Sequence, residues 1–231
     1  MLNSDLARII VEVVSTIICV ILVKFMFKPY RLTGEGRYLG LPLGFGFLGL
    51  SYFIAAFAFF EPPNLFRELL WLQSLTRTFA FVFIALTYYF SQKPQKNMRL
   101  FWNLTFSVLT VAFIALFLIV IVAPQIAEPA YSGTQVYVRI FNVIILTYVA
   151  IHTIRSHLKK PDTTTLWIPL GFILLVMNQY SLLAWYLERS MVAFTGALVI
   201  RLVALSVFLL VAYRTFYSSR KIQKEFHADK T

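Results

Sequence analysis

The 231-residue chain has a single cysteine, Cys19, and it lies inside an apolar run. An intramolecular disulfide framework and a cysteine-based zinc site are therefore excluded. Charge is almost as scarce. Charged residues make up 13% of the chain against 59% hydrophobic, and the mean hydropathy is +0.75. A soluble domain with so few charges could not hydrate its surface, so the composition points to lipid as the solvent. The apolar runs contain no aspartate, one glutamate (Glu12) and one histidine (His152). That argues against a membrane-embedded carboxylate relay and removes bis-histidine haem ligation. No Ser/His/Asp set, HExxH, GxSxG or phosphate-binding glycine loop is present, so neither an enzyme nor a metal site is expected. The first apolar run is followed by Lys24, Lys28 and Arg31 without a small-residue cleavage site, which predicts a retained helix rather than a signal peptide.

What is present is a series of seven apolar runs, each long enough to span a bilayer as a helix of about 20 residues. They cover about 6–27, 39–60, 69–90, 100–123, 135–154, 166–187 and 191–216. The expected fold is an all-α, polytopic membrane protein, multi-pass in the cell membrane, with residues 1–231 as a single seven-helix domain. The segment 218–231 would be a basic tail. The connections alternate in charge. Lys24, Lys28, Arg31 and Arg37 flank the first, Lys93, Lys96 and Arg99 the third, and Arg155, Lys159 and Lys160 the fifth. Arg214, Arg220, Lys221, Lys224 and Lys230 follow the last run, which brings 15 of the 21 basic residues to one side. By the positive-inside rule the N-terminus lies outside and the C-terminus in the cytoplasm, as an odd number of spans also requires. The net charge of +11 is thus a topology signal rather than a nucleic-acid signature. The bilayer is the expected partner, and the basic tail could dock anionic lipid or a cytoplasmic protein. Nothing in the chain specifies an oligomeric state.

An internal repeat accompanies the seven runs. Leu39, Pro42, Leu43, Gly44, Phe45, Leu48 and Glu61 recur 127 residues later as Leu166, Pro169, Leu170, Gly171, Phe172, Leu175 and Glu188. Arg77 recurs as Arg201, after three residues are lost from the intervening turn. This predicts two parallel half-repeats, 6–90 and 135–217, joined by a linker helix over 100–123 that inverts the chain between them. Pro42 and Pro169 read as helix-start prolines, whose missing N–H costs little in a first turn. Gly40, Gly44, Gly46 and Gly49 offer small surfaces for close helix packing.

The candidate site comes from polar groups that the apolar runs should not tolerate. Arg77 and Arg201 sit near mid-span, where a guanidinium costs about 2.5–3.5 kcal/mol on insertion scales. Both should face the bundle interior. Gln73 lies one turn before Arg77 on the same face. Asn142, Asn178, Gln179 and Tyr180 add polar groups at similar depth. Glu12 and Arg139 are shallower, occupy equivalent repeat positions, and could pair. Together these residues would line an outward-facing polar pocket, or else form a satisfied internal network in which Arg77 and Arg201 bond to carbonyls, amides and Glu12. If a ligand binds, two or three arginines predict an anionic one.

Seven spans with an apparent 3+1+3 organisation resemble the microbial rhodopsins, as does an arginine in the third span. The seventh span has no lysine for a retinal Schiff base, so retinal is not expected. The same topology resembles the SWEET-type sugar transporters. Pro42 and Pro169 match part of their proline tetrad, while the asparagines expected on the third and seventh spans are missing. There is also a general similarity to uncharacterised archaeal seven-helix proteins. No functional residue is carried over from any of these.

The leading expectation is a receptor-like or sensory module that binds a small polar or anionic ligand from outside and signals to a separate partner. The alternatives are a small-solute transporter that rocks two triple-helix halves, with Thr87, Tyr88, Asn103, Thr105 and His152 on the lower path, and a structural subunit of a membrane complex.

Overall fold

The computed structural model describes residues 2–33, 36–60, 63–91, 98–122, 131–159 and 163–215. Among these residues there are seven α-helices, one 3-10 turn and no strand. The helices are α1 (Leu2–Thr33), α2 (Gly40–Ala58), α3 (Pro63–Ser91), α4 (Met98–Val122), α5 (Tyr131–Lys159), α6 (Thr163–Glu188) and α7 (Met191–Tyr213). The 3-10 turn, Gly36–Leu39, leads into α2. All seven helices are long and apolar enough to cross a membrane, judged by length and composition.

Helices α1, α3, α5 and α6 extend beyond their apolar runs at both ends. α1 starts at Leu2 and continues through Pro29 to Thr33. Hydropathy marks only the part of a helix matched to hydrocarbon, whereas hydrogen bonding carries the helix on into polar sequence. This corrects one reading. Pro42 is the third residue of α2 and does sit in a first turn, but α6 begins at Thr163, so Pro169 is its seventh residue and lies inside the helix. The turn holding Glu61, the prolines Pro124 and Pro129, and the tail 218–231 lie outside the described residues.

Helix neighbours run α1–α2–α3–α5–α6–α7 and back to α1, a closed ring of six. α4 stands outside the ring against α3 and the 3-10 turn. Phe113 of α4 meets Phe47 of α2 and Phe79 of α3 edge-on at 5.0 and 5.2 Å between ring centroids. Only 6% of the α4 span is buried, against 61% for α2, so α4 is peripheral and α2 central.

Ring contacts fix the direction of each helix. Arg8, early in α1, lies over the rings of Phe59, just after α2, and Phe194, early in α7. At the other end Tyr88 of α3 meets His152 of α5 and Phe172 of α6, and Phe45 of α2 meets Phe208 of α7. Hence α1, α3, α5 and α7 finish at the end where α2 and α6 begin. Among the described residues this end carries Lys24, Lys28, Arg31, Arg155, Lys159 and Arg214 and no carboxylate, and it is called the basic end below.

Two glycines mark close approaches between neighbouring helices. A Cβ on Gly44 would collide with Ile84 and stand 3.1 Å from the Ala80 carbonyl, so α2 rests directly on the backbone of α3. A Cβ on Gly171 would lie 2.7 Å from the tip of the Phe208 ring. α6 and α7 join through only two residues. Arg189 takes a left-handed conformation (φ 53°) and its N–H donates to the Trp185 carbonyl, which closes α6. Ser190 caps α7 by accepting from the Ala193 N–H. The outer faces are apolar. Ile10, Val13, Ile17 and Val20 on α1 and Leu104, Val108 and Val111 on α4 are exposed, a surface suited to hydrocarbon rather than water.

Candidate functional site

The site is a polar layer buried inside an apolar ring. Glu12 lies ten residues from the start of α1, and Arg201 ten residues from the start of α7. At 1.5 Å per residue each is about 15 Å along its helix. The two helices are parallel neighbours, so the side chains meet at one level. Nη1 of Arg201 donates to both carboxylate oxygens of Glu12 at 3.0 Å. Both side chains are almost fully buried. The expected pairing of Glu12 with Arg139 is thereby corrected. The ring places α5 across from α1, and the carboxylate goes to the arginine on adjacent α7.

Tyr52 of α2 joins the two arginines. Its ring is buried, and the guanidinium carbons of Arg201 and Arg77 lie 4.5 and 5.2 Å from its centroid. Each distance is within cation–π range. Arg77 is 7% exposed, and its Nε and Nη2 are buried without a hydrogen-bond partner. Nε and Nη2 of Arg201 are in the same state. The layer therefore holds two guanidiniums against one carboxylate, a formal excess of one positive charge, with donors to spare.

The remaining candidates divide. Gln73 is buried on α3 one turn from Arg77, as its spacing predicted. Asn142 of α5 is buried, and its Oδ1 is without a hydrogen-bond partner. Asn178 and Gln179 form a cross-tie. Nδ2 of Asn178 donates to the Ala197 carbonyl of α7 at 2.6 Å, and Nε2 of Gln179 donates to Oδ1 of Asn178. Arg139 is only partly buried. Tyr180, expected in the layer, is 63% exposed and points away from the core, because the residue after two inward-facing positions rotates off that face. The buried hydroxyls of Ser15, Ser51 and Thr76 are satisfied by carbonyls three or four residues back in their own helices.

Toward the basic end the same faces turn apolar on every helix of the ring. Cys19 and Leu22 follow Glu12 on α1, and Leu48 and Phe45 flank Tyr52 on α2. Phe81 and Ile84 follow Arg77, Leu146 and Val149 follow Asn142, Leu175 and Phe172 flank Asn178, and Leu205 and Phe208 follow Arg201. All belong to one buried cluster. Beneath the charged layer there is thus a continuous apolar floor.

Tyr52 escaped the sequence reading because nothing separates it from the other eleven tyrosines in an aromatic-rich chain. The only available signal was its position, seven residues from Phe45 on the face that packs inward.

Fold and layer together define an all-α protein of seven candidate membrane spans with charge buried at its core. Comparison with models of protein families, with curated proteins and with solved structures finds no match.

Proposed function

We propose that the chain is a receptor-like integral membrane protein that binds a small anion, a carboxylate or phosphate, at Arg77 and Arg201. The observation that carries this reading is Arg77. It is a buried guanidinium with two unpartnered nitrogens, beside an ion pair that already occupies the only buried carboxylate among the described residues. A buried charge lacking a partner costs several kcal/mol, and an anion in the layer would offset that cost through charge-assisted hydrogen bonds. Intramembrane arginines that face a bundle interior mark binding sites or ion pathways by default.

The apolar floor supports a receptor over a transporter. Rocking-bundle transport requires a polar path to both sides. The groups expected on a lower path do not all face the ring interior. Asn103 is exposed on α4, outside the ring, and His152 packs against the rings of Tyr88 and Tyr148. The basic end supports a cytoplasmic location for the finish of α7, which puts the charged layer on the outer side of the apolar floor. Two features support the parallel repeat. Gly44 meets Ile84 of α3 as Gly171 meets Phe208 of α7, and α4 stands apart as a linker would.

The test is a thermal-shift screen of the purified protein against small carboxylates and phosphates, repeated on Arg77→Gln. A ligand at about 100 times its Kd should stabilise the wild type by ~2.7 kcal/mol. R77Q should lose that shift while remaining folded. A wild type that responds to none of the anions, or an R77Q variant that keeps the full response, would overturn the reading.

A further inference from the structure

A cavity lies at the basic end, on the other side of the apolar floor from the arginines. Its volume is about 420 Å³, within the ~300–1,000 Å³ range of small-molecule sites. Residues of α1, α2, α3, α4, α6 and α7 line it, with Phe45, Tyr88, Trp102, Phe172 and Phe208 forming most of an aromatic wall. The lining holds few polar groups, and one of them, Thr87, donates its hydroxyl to the Phe83 carbonyl of its own helix. A solute with polar groups throughout would find little to bond to inside.

The end of the bundle that holds the cavity is basic. Pro29 and Thr215 line the cavity, and their chain neighbours are Lys28 and Arg214, with Arg31 two residues beyond Pro29. Lys24, Arg155 and Lys159 stand at the same end, where the described residues include no carboxylate. Aromatic walls alone would also suit a quaternary ammonium, but the surrounding positive charge disfavours any cation.

We propose that this cavity binds a single-chain anionic amphiphile, with its alkyl chain against Phe45, Trp102, Phe172 and Phe208 and its anionic head at Lys28 and Arg214. The apolar lining sets the class of the chain, and the basic rim sets the sign of the head. This site is separate from the arginine layer and does not depend on the function proposed for it.

Trp102, which is buried and lines the cavity, supplies the readout. The full chain in lipid nanodiscs is titrated with brominated dodecanoate, whose bromine quenches indole fluorescence only on contact. Brominated dodecanol and a brominated dodecyltrimethylammonium serve as neutral and cationic controls. Saturable quenching is expected for the carboxylate, with weaker binding of the alcohol and weakest of the cation. Trp102→Phe should remove the saturable component. Ala212→Trp, which fills the cavity from α7, should abolish carboxylate binding, read by calorimetry. Lys28→Gln with Arg214→Gln should weaken the carboxylate roughly fivefold and leave the alcohol unchanged. Circular dichroism checks that each variant folds. Linear, unsaturable quenching equal for all three amphiphiles would mean bilayer partitioning only and would overturn the proposal. So would undiminished carboxylate binding to a folded A212W variant, or saturable binding without preference for the anion.

Discussion

Arg201 holds Glu12 through one nitrogen, Nη1, which reaches both carboxylate oxygens at 3.0 Å while Nε and Nη2 stay buried and unpartnered. A bidentate fork would use two nitrogens, so this pair is formed but incomplete. Arg77 sits over the same tyrosine ring, within the same buried layer.

That geometry predicts an asymmetry between the two ends of the ion pair. Glu12→Gln leaves two buried guanidiniums without an anion and should destabilise the protein by about 3–5 kcal/mol. Arg201→Met leaves Glu12 with Arg77 nearby as a substitute cation, and should cost clearly less. The double variant should be more stable than E12Q alone. Unfolding in mixed micelles by sodium dodecyl sulfate titration gives all three values, and a loss for R201M equal to or above that for E12Q would refute the shared layer.

Tyr52 should matter through its ring rather than its hydroxyl. Tyr52→Phe keeps both guanidinium–ring contacts and should change stability by less than about 1 kcal/mol. Tyr52→Leu removes both and should cost ~2 kcal/mol or more, with added loss from the void. The same unfolding assay separates the two variants.

The glycines of α2 should differ sharply in tolerance. Gly44→Ala forces a methyl against Ile84 and the Ala80 carbonyl, and overpacking of this kind costs about 1–3 kcal/mol. At Gly46 the nearest atom to an added Cβ is a Val23 methyl carbon at 3.7 Å, an ordinary contact. Gly46→Ala should be neutral or slightly stabilising, since alanine favours the helix over glycine by up to ~1 kcal/mol. Thermal unfolding of the two variants side by side checks this.

Topology can be read by thiol labelling. Cys19 is fully buried, so the wild type should not react with a membrane-impermeant maleimide while folded. A cysteine introduced as Ser218→Cys should then react only from the cytoplasmic side, in inverted vesicles and not in intact cells. Labelling from outside would reverse the proposed orientation.

The sequence foresaw which residues would be costly to bury, but not which would meet. Arg77, Arg201, Gln73, Asn142, Asn178 and Gln179 were all legible as inward-facing, because a polar group in a long apolar helix has nowhere else to go. The sequence left the partner of Glu12 open, with Arg139 offered by repeat position and Arg77 or Arg201 by an internal network. Helix adjacency decided for Arg201. Tyr180 shows the same limit. Its face depends on helix rotation, which composition does not report.

By itself, then, the sequence determined seven membrane-length helices, a strongly basic side and a set of buried charges, because apolar length and charge placement are local properties of the chain. The tertiary structure alone decided that six helices close a ring around Glu12, Tyr52, Arg77 and Arg201 while α4 stays outside it. It also decided that an apolar floor divides this layer from the cavity at the basic end. Such pairings depend on which helix faces pack together, a choice made by side-chain fit between segments far apart in the chain.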